Sequence, residues 1–243
     1  MGASATTQRM AEALIDAEPQ AILSWAAEKF SGRIALASSL GIEDQAVTAM
    51  IARAKLPIAV FTLDTGRLFP ETYDLLGETS RRYGLPIRVL FPDAGEVEQM
   101  VELHGVNLFR DGVTERKRCC EVRKLRPLRR ALDGLDAWVC GLRQGQSAAR
   151  AGIDVVEWDE ANGLIKVNPL ASWDGDRVRE YVAENDVPYS PLHDRGFPSI
   201  GCAPCTRAVE PGEDERSGRW WWESDSHREC GLHAHASNPG GTP

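Results

Sequence analysis

Six cysteines are spaced in a way that separates two uses of sulfur. Cys119-Cys120 is an adjacent pair, and Cys202-Ala203-Pro204-Cys205 is a second pair some eighty positions later. Four thiolates can hold a metal centre. Cys230 stands alone near the C-terminus, in Glu229-Cys230-Gly231-Leu232-His233, and a lone thiolate among polar neighbours can attack an electrophile. Cys140 lies inside an apolar run and reads as a small buried hydrophobe.

The cations are as unevenly placed as the sulfurs. Arg116, Lys117, Arg118, Arg123, Lys124, Arg126, Arg129 and Arg130 enclose Cys119-Cys120, while the whole chain carries a formal charge of −8. Such a run is either a solvated helix face or a site for anions. Its strongly one-signed charge in an acidic chain and the enclosed cysteines favour the site. Consecutive helical residues point about 100° apart. Two adjacent cysteines therefore share one centre only if the helix is distorted or the centre is large. A single zinc fits that awkwardly, and a cluster of several irons fits it better.

Elements that would position these groups alternate in type. Ala11 to Phe30 has helical spacing, enough for one helix or two, after a lead, Met1 to Arg9, expected to be disordered. Ile34-Ala35-Leu36-Ala37 reads as a buried strand, followed by Ser38-Ser39-Leu40-Gly41 and a helix from Glu43 through Ile51. That loop is either a phosphate cradle or an ordinary strand-to-helix turn. Further strands are expected at Ile58 to Leu63, Ile87 to Phe91, Ala137 to Cys140 and Leu164 to Leu170. Helices are expected at Phe69 to Tyr83, along 116–130, and from Asp174 or Asp176 to Glu184.

This alternation predicts an α/β fold, a parallel-type twisted sheet with helices on both faces. Ligands then bind beyond the C-terminal strand ends, on a rim shared by Ser38 to Gly41 and Asp64-Thr65-Gly66. Arg143, Gln146, Ser147 and Arg150 follow another strand end. One domain over 1–243 is the economical division, with 206–243 as a mobile C-terminal extension carrying Cys230. No apolar run reaches a membrane span, and Met1 to Met10 lacks a secretory layout. A cytoplasmic protein is expected, with thiols rather than disulfides. The acidic balance argues against nucleic-acid binding.

Together these residues carry a family likeness. The chain resembles the assimilatory phosphosulfate reductases, within them the adenylyl-sulfate (APS) reductases of the iron–sulfur type. The matching segments are Ser38-Ser39-Leu40-Gly41-Ile42-Glu43-Asp44-Gln45, Leu63-Asp64-Thr65-Gly66-Arg67 and Lys117-Arg118-Cys119-Cys120 with Arg123-Lys124. They continue through Gly141-Leu142-Arg143 with Gln146-Ser147, Asn168-Pro169-Leu170, Pro191-Leu192-His193-Asp194-Arg195-Gly196 and Gly201-Cys202-Ala203-Pro204-Cys205. Pro211-Gly212-Glu213 and Glu229-Cys230-Gly231-Leu232-His233 complete the series.

The resemblance implies an adenine nucleotide alpha hydrolase-like fold and one [4Fe–4S] cluster per subunit on Cys119, Cys120, Cys202 and Cys205. It implies Cys230 as the nucleophile that takes the sulfo group from APS, releasing AMP, and reduced thioredoxin as the partner that frees sulfite. Ser38, Ser39, Gly41, Asp64, Gly66, Lys124, Arg143, Arg216 and Arg219 would bind the substrate; His233 either tunes Cys230 or, as is more common for a histidine beside a tail, is incidental. Relatives acting on the 3′-phosphorylated substrate (PAPS) usually lack the cysteine pairs, so APS is expected as substrate. Where this chain has Cys140 the family more usually has Thr. A homo-oligomer is compatible with this pattern. Two rivals are a cluster-bearing tRNA-thiolation enzyme and a non-enzymatic module around a four-cysteine zinc.

Overall fold

The computed structural model describes residues 3–147 and 150–223. Six strands form one sheet in the order β3-β2-β1-β4-β6-β5. They are β1 (Ile34–Ala37), β2 (Ala59–Leu63), β3 (Ile87–Leu90), β4 (Ala137–Val139), β5 (Val156–Asp159) and β6 (Leu164–Val167). The first four and β6 run parallel, and β5 is antiparallel to β6 at the edge, with Trp158 opposite Ile165.

The predicted strands are present; β1 and β4 are apolar runs buried almost throughout, whereas β3, at the other edge of the sheet, is half-buried with Arg88 exposed. Strand β5 is an addition to them. Its Glu157 and Asp159 break the apolar run, as suits an edge strand, and Asp159 turns the hairpin by accepting from the backbone of Ala161 and Asn162.

The helices are α1 (Ala3–Leu14), α2 (Pro19–Lys29), α3 (Ile42–Arg53), α4 (Pro70–Tyr83), α5 (Ala94–His104), α6 (Val113–Cys120), α7 (Arg126–Leu132) and α8 (Gly175–Glu184). Pro70 opens α4 and Gly84, in the left-handed region at φ 58°, closes it. Asp174, not Asp176, caps α8 by accepting from the Arg177 N–H at 2.8 Å. The expected disordered lead is corrected: its residues from Ala3 onward belong to α1, which packs against β5. Thr7 and Leu14 are buried, and Met10 packs against the core.

Chain order leaves β1 in one direction through β2 and β3, then returns to β4 on its other side. With right-handed crossovers, α3 and α4 cover one face and α5 to α7 the other. The reversal opens a crevice at the C-terminal ends of β1 and β4. No helix among the described residues is long and apolar enough to cross a membrane.

Candidate active site

The crevice is an open cleft of about 1350 Å³, counting its solvent mouth. Ser38, Ser39 and Gly41 line it from the loop after β1, and Cys140 and Gly141 from the end of β4. Asp44, at the start of α3, joins these two strand ends. Its carboxylate accepts from the Ser39 N–H and hydroxyl and from the Gly141 N–H. A Cβ on Gly141 would lie 2.4 Å from the Asp44 Oδ1, so only glycine fits there. Leu40 takes φ 61°, and its N–H is held by the Ser38 hydroxyl at 3.1 Å. The loop is thus preformed, but its N–H groups are engaged already, Ser39 by the Asp44 carboxylate and Leu40 and Gly41 by the Ser38 and Ser39 hydroxyls. Burial raises the Asp44 carboxyl to about 6, against the lowering effect of the Ser39 hydrogen bonds.

Lys124, Arg216 and Arg219 also line the cleft. Arg216 reaches the Ser199 hydroxyl at 3.5 Å. Arg219 is buried, with its guanidinium 4.7 Å from the Trp220 ring centroid. Three of the candidate substrate residues stand elsewhere. Asp64 and Gly66 are not in the cleft wall: Asp64 accepts from the Gly66 N–H at 2.7 Å and the Tyr73 hydroxyl at 3.0 Å. They build the turn that presents Thr65, which is in the wall.

Arg143 is likewise behind the wall, bonded to Glu43 at 2.9 Å and to Glu215 at 3.0 Å. Those acids meet its charge, and Arg150 takes the place in the cleft instead. His193 is a cleft residue that sequence reasoning misses, although the Pro-Leu-His segment points to it. Its Nε2 has no hydrogen-bond partner among the described residues, and burial lowers its pKa.

The four paired cysteines come together. All are buried and line one smaller cavity with Arg67, Phe109, Arg116, Arg123, Lys124, Pro204 and Trp220. Cys119 and Cys120 end α6, and the next segment, Glu121–Leu125, is a π-helix closed by an Arg126 N–H to Glu121 O bond. A distorted helix is one of the two conditions, with a large centre the other, under which adjacent cysteines could share one centre. Pro127 supplies a cause, since its ring opposes the regular hydrogen bond to the carbonyl of Arg123. Among the described residues no three His, Cys, Asp or Glu side chains converge on a point that one ion would occupy.

An iron–sulfur cluster fits these surroundings. The indole Nε1 of Trp220 and the Nε of Arg123 are buried donors without a partner among the described residues, both on residues lining this cavity, and cluster sulfur is an acceptor for such groups. Thr65 Oγ1 lies 3.2 Å from Cys202 Sγ. Burial pushes the Cys202 thiol up, but Lys124, the Thr65 hydroxyl, Arg219 and Arg123 outweigh it and leave the pKa below the ordinary value. Cys205 is pushed to about 12, first by burial and then by the charge of Cys202. Cleft and cysteine cavity share Lys124, Cys202 and Trp220 as a common wall.

Comparison with known families decides the class. The model of the phosphoadenosine phosphosulfate reductase domain matches residues 33–208. The chain belongs to this reductase family. Over 202 residues it is 54% identical to the adenosine 5′-phosphosulfate reductase of Agrobacterium fabrum, covering 83% of this chain and 78% of that one. The enzyme of the same name from Allochromatium vinosum is 52% identical over 200 residues, with 82% and 78% covered. A phosphoadenylyl-sulfate reductase from Candida auris, solved as a phosphate complex, superposes with a TM-score of 0.72 at 30% identity, covering 84% and 96%. Cys140 is buried, as expected, and its thiol is held well above the usual pKa by burial. Cys230 and His233 lie outside the described residues.

Proposed function

We propose that this reductase converts adenosine 5′-phosphosulfate to sulfite and AMP, with Cys230 as nucleophile and reduced thioredoxin as the electron source. The observation that carries the reading is the shared wall of the two cavities. Lys124 faces both, so a cation from the cysteine-bearing helix borders the nucleotide cleft at the topological switch point. A phosphosulfate is a polyanion, and a thiolate approaching it is repelled unless cations surround both. Lys124, Arg150, Arg216 and Arg219 supply that charge from three separate parts of the chain. Ser38, Ser39 and Gly41 would meet the nucleotide, and Asp64 and Gly66 serve by shaping the Thr65 turn.

The chemistry is a sulfo transfer followed by reduction. The Cys230 thiolate attacks the sulfate sulfur, the bond from sulfur to the phosphate oxygen breaks, and AMP leaves with that electron pair. A thioredoxin thiolate then attacks Cys230 Sγ and sulfite departs. Its second thiol resolves the mixed disulfide, so the dithiol supplies the two electrons.

We further propose that Cys119, Cys120, Cys202 and Cys205 hold one [4Fe–4S] cluster. Bound there, it would supply a charged cross-link between α6 and the 202–205 segment. A reducing cytoplasm is the compartment that suits both the thiols and thioredoxin.

The test is sulfite release with reduced thioredoxin from APS and from PAPS, with AMP followed in the absence of thioredoxin. Expected are a strong preference for APS and an AMP burst of one equivalent per site, with one SO3 group on Cys230. Equal rate constants for both nucleotides would remove the substrate assignment. A burst without an adduct on Cys230 would remove the nucleophile.

A further inference from the structure

Arg116 and Glu223 form an ion pair that the proposed chemistry does not use. They are 107 positions apart, and their side chains are 0% and 3% exposed. The contact is bidentate, Nε to Oε1 and Nη2 to Oε2, each 2.9 Å. Burying two charges is costly, and apolar side chains of similar size commonly stabilise such a position as well or better. What a forked pair adds is direction: it fixes one backbone relative to another.

The two backbones are informative. Arg116 is on α6, one turn before Cys119 and Cys120, and it also hydrogen-bonds Cys120. Glu223 ends the segment that lies along the second cysteine pair, where the Trp220 N–H donates to Cys205 O and the Arg207 N–H to Gly218 O. Arg116 and Arg219 both lie over the Trp220 ring, 4.6 and 4.7 Å from its centroid. Trp220 itself sits at φ 43°, a conformation that a bulky residue keeps only where its surroundings enforce it. The Glu223 N–H donates back to Trp220 O at 2.8 Å, closing the turn.

We propose that Arg116 and Glu223 are a positioning pair: they fix the root of the segment carrying Cys230 and tie it to the cysteine centre. This rests on the reading of Cys230 as nucleophile. Seven positions separate Glu223 from Cys230, a reach of at most about 24 Å. A fixed root confines the thiolate to the volume within that reach of Glu223 and so keeps its effective concentration high, and a loosened root spreads it over a larger volume. The substrate cations are on other residues, so the pair governs delivery of the thiolate and not affinity for the nucleotide.

The test is a single turnover: rapid quench after mixing with APS without thioredoxin, with the SO3 adduct on Cys230 read by mass. Glu223→Gln and the double variant Arg116→Met/Glu223→Gln are compared, the second leaving no unpaired buried charge. Both are expected to slow adduct formation about tenfold or more. APS affinity within twofold, visible absorption, and alkylation of Cys230 by iodoacetamide should all be kept. A double variant that forms adduct at the wild-type rate overturns the proposal, because restored packing would then suffice. Weakened APS binding or lost absorption in both variants overturns it too, assigning the pair to those sites. Slower alkylation in parallel would mean an altered thiol and would overturn it as well. Failure of the wild-type protein to form the adduct would instead fail the nucleophile reading itself.

Discussion

The Asp44 carboxylate lies 2.6 Å from both the backbone nitrogen and the hydroxyl of Ser39. With the Gly141 N–H at 3.1 Å, it fastens the loop after β1 to the end of β4 at the floor of the cleft. The cost is a buried carboxylate whose pKa is raised to about 6. A raised folded pKa means the folded state holds its proton longer than the unfolded chain. The stabilisation is complete below the unfolded value of 3.8 and is lost as pH rises through about 6. The full swing is about 3 kcal/mol, roughly half of it between pH 5 and pH 7.5. Urea unfolding across that interval should show this fall in wild type and its absence in Asp44→Asn. Parallel curves for the two proteins would dismiss Asp44 as the titrating group.

Gly201 makes room for Arg219. A Cβ there would lie 2.2 Å from the Arg219 Nη2, and the arginine is already fixed over Trp220. Gly201→Ala should therefore push the guanidinium out of the cleft wall. A charged hydrogen bond is worth about 1.5–3 kcal/mol, so kcat/KM for APS should fall about 10- to 100-fold. Combining Gly201→Ala with Arg219→Ala should cost no more than Arg219→Ala alone, since both remove one contact. Additive losses would show that Gly201 acts elsewhere.

The cysteines divide cleanly in expectation. Cys202→Ser should abolish the visible absorption and iron content of anaerobically purified protein, because it takes one of four sulfurs from the shared cavity. Cys140→Ala should keep both, since Cys140 belongs to the nucleotide cleft and not to that cavity. Full iron in the Cys202→Ser protein would strike that residue from the site.

How far the sequence is legible follows from which signals are local. Strands β1 and β4 are buried along almost their whole length, so each is a continuous apolar run, while β3 and β6 keep the signal despite one cation each, Arg88 and Lys166. Edge strand β5 needs no such run, and its charges hide it. Adjacent Cys119 and Cys120 raise the question of a distorted helix, and a π-turn does follow them at Glu121–Leu125. Pairings across the chain leave no local trace. Nothing near Arg143 shows that Glu43 and Glu215, 100 and 72 positions away, will take its charge. Arg116 reads as one more cation of a basic run, although its partner Glu223 is 107 positions distant.

Arg143 and Arg150 should consequently separate in experiment. Arg143 is 4% exposed and serves two acids, Glu43 at 12% and Glu215 at 37% exposure. Arg143→Met would strand the first of these and half-strand the second. Removing one partner of a buried pair costs about 3 kcal/mol or more, less here because Glu215 is partly solvated. For a chain of this size that is a fall in Tm of about 5–10 °C, with APS affinity changed only a few-fold. Arg150 lines the cleft, where Arg143 does not, and donates to the Gln146 Oε1 at 2.6 Å. Arg150→Met should weaken APS binding about tenfold or more, with a smaller change in Tm. Calorimetric binding of APS and thermal unfolding of both variants decide the matter. If Arg143→Met loses the more affinity of the two, the anion contact belongs to Arg143 and the Glu43–Arg143–Glu215 bridge must open when substrate binds.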